Sequence, residues 1–438
     1  MQPAFWLHKI VILGLKVWVR AGLKGPRDGV GVAAPGLTEI LMAVDRAWMV
    51  RNLGFDPITT PVPDLTVGSK VSGTKAAAKA SAGPEDFQRE IIDFDSESPT
   101  GRAFLAFSKA TGLSRFTDIP WPKGLAPQTG PKPSGGGSGA LPHADVLIVT
   151  WTVDEGHALS RVLTPGKDSR NDYIPYTHNY DSIASSMSKG SPAVQAKRLG
   201  AYWTTTIGNK KAVIFKSESH LSQDTNKHLP SNGVLPNALV WKQIIAEVQP
   251  ALVITTGTGG GIGKELEVGD VIVSPVVRFD CQKWLKSTKY SDAIYHSSPA
   301  QTKYFAQAKA LFKANSAQLP TDNKRQPKIV RVSPSADMAS VVTTDFFGFD
   351  TSNNYYKLWR LGDLSEMGDA VLGMVMGDLA AKAPKWVAVR NVSDPQIKAD
   401  GLTLKEQAKM ASTIYMGYGR WSSVCSAIVC WALVAAIQ

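Results

Sequence analysis

The stretch VITTGTGGGIGKELEVGDVIVS, residues 253 to 274, sets small residues where chemistry could happen. Gly257, Gly259, Gly260, Gly261 and Gly263 follow a run of strand formers, and Thr258 offers a hydroxyl among them. A backbone this bare lets something small approach closely. The dinucleotide fingerprint needs a helix after its glycines, with the helix N-terminus facing a pyrophosphate. Here KELEVGDVIVS leads instead into a second strand. A phosphate loop is excluded too, because Lys264 is followed by Glu265 and not by Ser or Thr. An ordinary tight turn between strands stays open. Asp394, in NVSDP just past another strand, stands where an α/β sheet presents its ligands, although Ser, Asp and Pro together also make a plain turn. Glu155, in TWTVDEGHAL, reads equally as a first-turn helix glutamate favoured by the dipole.

The elements that must position these residues follow from hydrophobic patterning. ADVLIVTWT, ALVITTGTGGG, VGDVIVSPVVRF and KWVAVRNVSDP read as strands. LPNALVWKQIIAEV, PAQTKYFAQAKALFKAN, MGDAVLGMVMGDLAAKA and the C-terminal KEQAKMASTIYMGYGRWSSVCSAIVCWALVAA read as helices between and after them. Strands alternating with helices predict an α/β domain with a largely parallel sheet over residues 142–438. Residues 127–141 are rich in Pro, Gly and Ser, a linker by composition. Residues 1–126 read as mainly helical, either a separate module or an extension packed on the main domain.

The 438 residues carry a formal net charge of +11, which would help attract an anionic ligand. No dense Lys/Arg block is interleaved with aromatics, so no nucleic-acid partner is expected. Cys281, Cys425 and Cys430 make neither a disulfide framework nor a zinc signature; buried thiols and a cytoplasmic location are expected. Ile10 to Leu15 is too short an apolar run for a signal peptide or a span. SSVCSAIVCWALVAAIQ falls short of the roughly 20 residues a span needs, so a buried terminal helix and no membrane are expected.

TTGTGGGIGKELEVGDVIVS resembles the nucleoside phosphorylase and nucleosidase superfamily, in which a strand ending in T-G-[ST]-A/C-G-G is followed by a V-G-D strand. Three further pieces come in the family's chain order. DVLIVTWTVDEGHAL is similar to its opening strand and loop, SVVTTDFFGFD to the segment that sets an aromatic on the base, and LSEMGDAVLG with VAVRNVSDP to its E-M-E…R-x-[IV]-S-D pair. The resemblance covers roughly residues 142–438. It implies a three-layer α/β/α nucleoside phosphorylase-like domain with a mixed central sheet, preceded by the mainly helical N-terminal region. It also implies a nucleoside as substrate and a homo-oligomer, at least a dimer; a purine is expected because the acidic Asp394 needs a ring nitrogen to protonate, the basic balance leaves a nucleotide open, and no cofactor is suggested.

Residue by residue, the resemblance implies Asp394 as the acid that protonates the base, with Ser393 orienting it, and Glu155 as activator of the attacking water. An acid on the leaving group opposite an activated nucleophile is the logic of glycoside cleavage. His157 is an alternative to Glu155. Thr258, Gly259 and Gly260 would contact the substrate, Phe347 would stack on the base, and Met367 would pack on the sugar. The family's sugar-gripping second glutamate is missing: Gly368 stands there, with Asp369 next to it. Asp369 or Glu366 would have to take the sugar hydroxyls, or the sugar is held differently.

Phosphorylases of the family place an arginine where Thr255 stands, and their opening loop carries another that TWTVDEGHAL lacks. Both departures favour a nucleosidase, which uses water. Arg161, Arg170 and Arg390 keep a phosphate-dependent phosphorylase open. Lys167 or Arg170 could anchor a phosphorylated substrate. A catalytically silent nucleotide-sensing module is the remaining alternative, motivated by Gly368.

Overall fold

The computed structural model describes residues 44–60, 83–110, 115–133, 137–225, 233–263, 265–298, 302–321, 324–331, 341–349, 356–398 and 401–437. The apolar run from Ile10 to Leu15 and the Lys264 position lie outside them.

The described strands form one mixed sheet of thirteen strands. Its centre is β4 (Leu252–Gly261), parallel to β1 (Val146–Thr150) on one side and to β9 (Lys385–Asp394) along nearly its whole length. β1 is buried at every residue, as a strand covered on both faces must be. Outward from β1 lie β3 (Lys210–Ser217), parallel to it, and then β2 (Gly200–Ile207), antiparallel. Beyond β9, β5 (Val271–Ser274) is antiparallel. β6 (Val276–Asp280), β7 (Val341–Thr344) and β8 (Leu364–Glu366) run parallel in the order β8–β7–β6, and β8 meets the tip of β4 at Gly260 and Gly261. Four shorter strands, 128–129, 174–176, 294–296 and 329–331, complete the sheet.

Helices cover this sheet in two layers. α5 (Pro236–Val248) and α6 (Asp369–Leu379) pack on each other. α4 (Val153–Leu163) packs on α7 (Leu404–Ala436), and α7 lies along β9 and β4. The apolar C-terminal stretch is thus part of one continuous 33-residue helix, longer than the tail alone suggested, and long and apolar enough to cross a membrane. In this fold it is a core helix, with 83% of its apolar window buried. Cys425 and Cys430 are buried within it, and Cys281 is buried elsewhere; all three are free thiols.

Of the front region, α1 (Arg46–Leu53), α2 (Pro84–Asp93) and α3 (Pro99–Phe107) are described, and each packs on α7. Met49, Leu53, Phe87, Phe104 and Leu105 join the same hydrophobic core as β1 and β4. These helices are therefore packed on the α/β part. The Pro/Gly/Ser-rich stretch also holds to the sheet: Gln128 and Thr129 pair with β2, and the Trp203 indole donates to the Gly130 carbonyl at 2.9 Å.

Candidate active site

β1 and β4 stay paired only as far as Val149 and Thr255. β1 stops at Thr150 while β4 runs on to Gly261. The Glu155 carboxylate fills the fork that opens there. Its Oε2 accepts from Thr150 Oγ1 at 2.9 Å, from the Trp151 amide at 3.0 Å and from the Thr152 amide at 2.9 Å. Its Oε1 accepts from the Thr258 amide at 2.8 Å and the Thr258 hydroxyl at 2.7 Å. Thr152 caps α4 and Glu155 answers as its third residue, a reciprocal capping box. Burial alone would raise this carboxyl's pKa; the Arg390 guanidinium and the Thr258 bonds outweigh it and hold the group below its ordinary value. Glu155 is thus an acceptor held both by its own helix cap and by Thr258 of β4. Gly257 faces it at φ 146°, where an added Cβ would stand 2.6 Å from Glu155 Cδ.

At the far end of β4, Asp394 closes β9. The register slips between Val392 and Asp394, so that Asp394 comes opposite Gly260. A bulge of this kind re-aims a side chain. Ser393 sits in the bulge and donates to Asp394 Oδ1 at 2.7 Å. Burial pushes the Asp394 carboxyl up to about 7, against the pull of that bond. Asp394 Oδ2 has no hydrogen-bond partner among the described residues. The Gly348 carbonyl, next to Phe347, accepts from Ser365 Oγ at 2.8 Å, and both of those atoms border Gly260. Phe347 is buried, its ring 5.5 Å from that of Phe349. The loop bearing Phe347, the tip of β4 and Asp394 therefore meet at one place.

Between these ends lies a buried ionic group. Arg390 donates to Asp369 at 2.8 and 2.5 Å, to Glu366 at 3.2 Å and to the Thr258 carbonyl at 3.3 Å. Glu366 also accepts from the Thr343 hydroxyl, from the Gly368 amide at 2.6 Å and from the Asp369 amide at 3.0 Å. Burial and the neighbouring Asp369 charge push Glu366 up to about 8, with Arg390 opposing. Both candidates for the sugar hydroxyls, Glu366 and Asp369, are thus engaged with Arg390. Met367 between them is partly exposed, and Gly259 packs against Leu364. The sequence reading did not single out Trp151, whose indole covers the Arg390 guanidinium 4.6 Å from the ring centroid.

His157 points away from Glu155's partners. Its Nε2 lies 3.2 Å from Asp95 and its Nδ1 3.0 Å from Asp168. Burial would lower its pKa, but these two carboxylates outweigh that and raise it to about 9. The imidazole is engaged between Asp95 and Asp168, and no hydrogen bond among the described residues joins it to Glu155. Asp95, Asp154 and His157 lie close enough together to suggest a metal site, as do Glu97, His157 and Asp168. Arg170 is paired with Asp95, however, and Arg161 and Arg420 with Glu97. With a charged His157, these guanidiniums balance the carboxylates without a metal. Lys167 lies over the Trp203 ring, 4.8 Å from its centroid, and Arg170 pairs with Asp95.

Residues 174–413 match the family model described as phosphorylase superfamily. That span includes Thr258, Phe347, Glu366 and Asp394, while Glu155 precedes it. A search of curated proteins found no match. Among solved structures, a 5'-methylthioadenosine/S-adenosylhomocysteine nucleosidase from Neisseria meningitidis is similar, with 14% identity, 66% of this chain and 99% of that chain covered, and a TM-score of 0.41. A futalosine hydrolase from Helicobacter pylori is similar with 12% identity, 65% and 96% covered, and a TM-score of 0.39.

Proposed function

The chain belongs to the phosphorylase superfamily, and from that premise we propose that it cleaves the N-glycosidic bond of a purine nucleoside or nucleotide by hydrolysis. The observation that carries this reading is the Asp394 carboxyl. It is buried, lifted to about 7, and has beside Gly260 one oxygen without a hydrogen-bond partner among the described residues. Such a group still holds a proton near neutrality, as a general acid must.

In this mechanism Asp394 gives its proton to a ring nitrogen of the base. The C–N bond breaks and its electron pair leaves with the base, while positive charge develops on the sugar. A water at the Thr258 edge of Glu155 attacks the sugar carbon and passes its proton to Glu155. For that, the Thr258 hydroxyl must turn from Glu155 toward the water. Phe347 and its loop form one wall for the base.

Hydrolysis is favoured over phosphorolysis because Arg161, Arg170 and Arg390 are each committed to carboxylates. A free nucleoside is favoured over a nucleotide for the same reason, with Lys167 engaged on Trp203. The test is base release by chromatography from a panel of nucleosides and nucleotides, with and without phosphate, beside Asp394→Asn. Phosphate-independent release that the variant abolishes supports the reading. Release only with phosphate reassigns the reaction to phosphorolysis. No release, with binding retained, makes the chain a sensing module.

A further inference from the structure

The first turn of α4 carries Glu155, and it is gripped from the front region as well as from the sheet. Glu155 reaches Thr258 of β4. Gly156 packs on the end of β3, where an added Cβ would stand 3.2 Å from Lys216 Cγ. Asp154 and His157, three residues apart, share one side of the helix. That side meets the front region. Asp154 Oδ1 accepts from the Ser96 amide at 2.9 Å and from the Ser96 hydroxyl at 2.8 Å. His157 Nε2 lies 3.2 Å from Asp95. Arg420 of α7 donates to Ser96 Oγ at 3.4 Å and also to Glu97. Residues 95–97 thus bridge the start of α4 to α7.

Asp154 is fully buried, and its Oδ2 has no hydrogen-bond partner among the described residues. Burial pushes its carboxyl up, with the Arg420 and His157 charges opposing. Burying a carboxylate is costly, and an apolar side chain would pack there at less expense. What Asp154 adds is direction. Two donors from one residue fix its carboxylate, and with it the rotation of the turn.

Glu155 needs that turn held still. In the proposed reaction the Thr258 hydroxyl leaves Glu155 for the attacking water. The carboxylate then rests on the Thr258 amide and on Thr150, Trp151 and Thr152 at the start of its own turn. A shift of about 1 Å in a reacting group costs roughly a hundredfold in rate.

We propose that Asp154 is a positioning residue for Glu155, and that Ser96 of the front region is its anchor. The inference rests on the reading of the chain as a hydrolase in which Glu155 activates water. It gives the front region a part in the reaction without placing any of its residues on the substrate.

The test measures base release by the full chain, on the purine nucleoside that wild type cleaves fastest, with kcat and KM expressed per folded molecule. Asp154→Leu should lower kcat by roughly a hundredfold with KM unchanged. Asp154→Asn keeps the acceptor for Ser96 and should stay within about threefold of wild type. Ser96→Ala should cost about fivefold in kcat, and nothing further in the Asp154→Leu background. The acidic limb of the rate–pH profile should move to higher pH in Asp154→Leu, because burial raises the Glu155 carboxyl once its donors loosen. Arg390, His220 and Tyr415 also interact with that carboxyl and are the same in every variant. Arg46→Ala, which breaks the Arg46–Asp56 pair elsewhere in the front region, should leave kcat unchanged.

Variants that melt lower but keep the wild-type kcat and pH profile per folded molecule overturn the inference. Equal losses in Asp154→Asn and Asp154→Leu do so too. An unchanged kcat in Ser96→Ala also overturns it, and decides the matter even if Asp154→Leu does not fold. Wild-type release with none of these effects overturns this inference alone. A wild type that releases no base overturns the underlying reading with it.

Discussion

Asp394 and Gly260 are register partners at the ends of two parallel strands, and Asp394 Oδ2 lies 3.2 Å from where a Cβ on Gly260 would be. The absent side chain is what leaves that oxygen open. Gly260→Ala should push the carboxyl aside by a few tenths of an ångström and lower turnover by roughly tenfold or more, since small misplacements of reacting groups are costly. Its melting temperature should fall by a few degrees at most. Unchanged kcat with normal folding would show that Asp394 is not aimed at the substrate across this glycine.

Asp394→Asn should move activity and stability in opposite directions. The folded chain raises this carboxyl from 3.8 to about 7, so it binds the proton more tightly than the unfolded chain does. Stability from this group is complete below 3.8 and is lost as pH rises through about 7. The variant should therefore melt higher than wild type at pH 8, with the gain shrinking toward pH 4. Base release should drop by about two orders of magnitude or more. In wild type, activity should decline above about pH 7 as the acid loses its proton. Calorimetry and rate–pH profiles check both halves.

How much of this was legible in the sequence differs from element to element. β4 and β9 were legible because their apolar runs end in small residues and in NVSDP. α5, α6 and α7 followed from helical spacing. The β2–β3 hairpin did not enter the reading, although Gly208 and Asn209 between two β-rich runs carry its signal. VGDVIVSPVVRF reads as one strand, yet Pro275 divides it into β5 and β6, which pair with different partners. Proline has no amide hydrogen to continue a ladder. Glu155 could be nominated from its motif, but not the closure of its hydrogen bonds, because Thr258 comes from 103 residues away. Nor could the commitment of Arg170 to Asp95, 75 residues apart, be seen from local pattern.

Arg390→Met should expose how the buried ionic group is balanced. It would leave Glu366 and Asp369 facing each other without their cation, a change that costs about 3–5 kcal/mol for a buried pair. The loss should grow as pH rises through about 8, where Glu366 gives up its proton, and be smaller below it. Melting curves across that range check it, and a pH-independent loss would point instead to lost packing under Trp151.

His157→Gln tests the tie between α4 and the segment around Asp95. Asp95, Glu97, Asp154 and Asp168 face this imidazole, with Arg161, Arg170 and Arg420 around them. Its pKa rises from 6.5 to about 9 on folding, so its stabilisation is complete below 6.5 and disappears as pH climbs through about 9. The variant should melt lower than wild type at pH 6 and converge with it near pH 10. A constant difference would show that packing, not charge, holds the segment.

Gly257→Ala should be worse tolerated than Gly260→Ala. It combines a φ of 146° with a Cβ inside contact distance of Glu155, so strain and displacement add, about 2 kcal/mol or more together. Denaturant unfolding of the two variants side by side measures the order.

The position of α7 has a consequence for the timing of folding. Every described strand and helix that packs on it is synthesised earlier, including α1, α2 and α3. Until α7 leaves the ribosome, β4 and β9 have nothing to cover the side that α7 occupies. The chain therefore cannot complete its core piecemeal during translation, as chains with separately folding domains do. Its closing contacts span hundreds of residues, such as Tyr418 with Asn52, and contacts of that separation form slowly. Newly made chains should depend on chaperones until α7 docks, and a stop codon within α7 should yield an aggregating product.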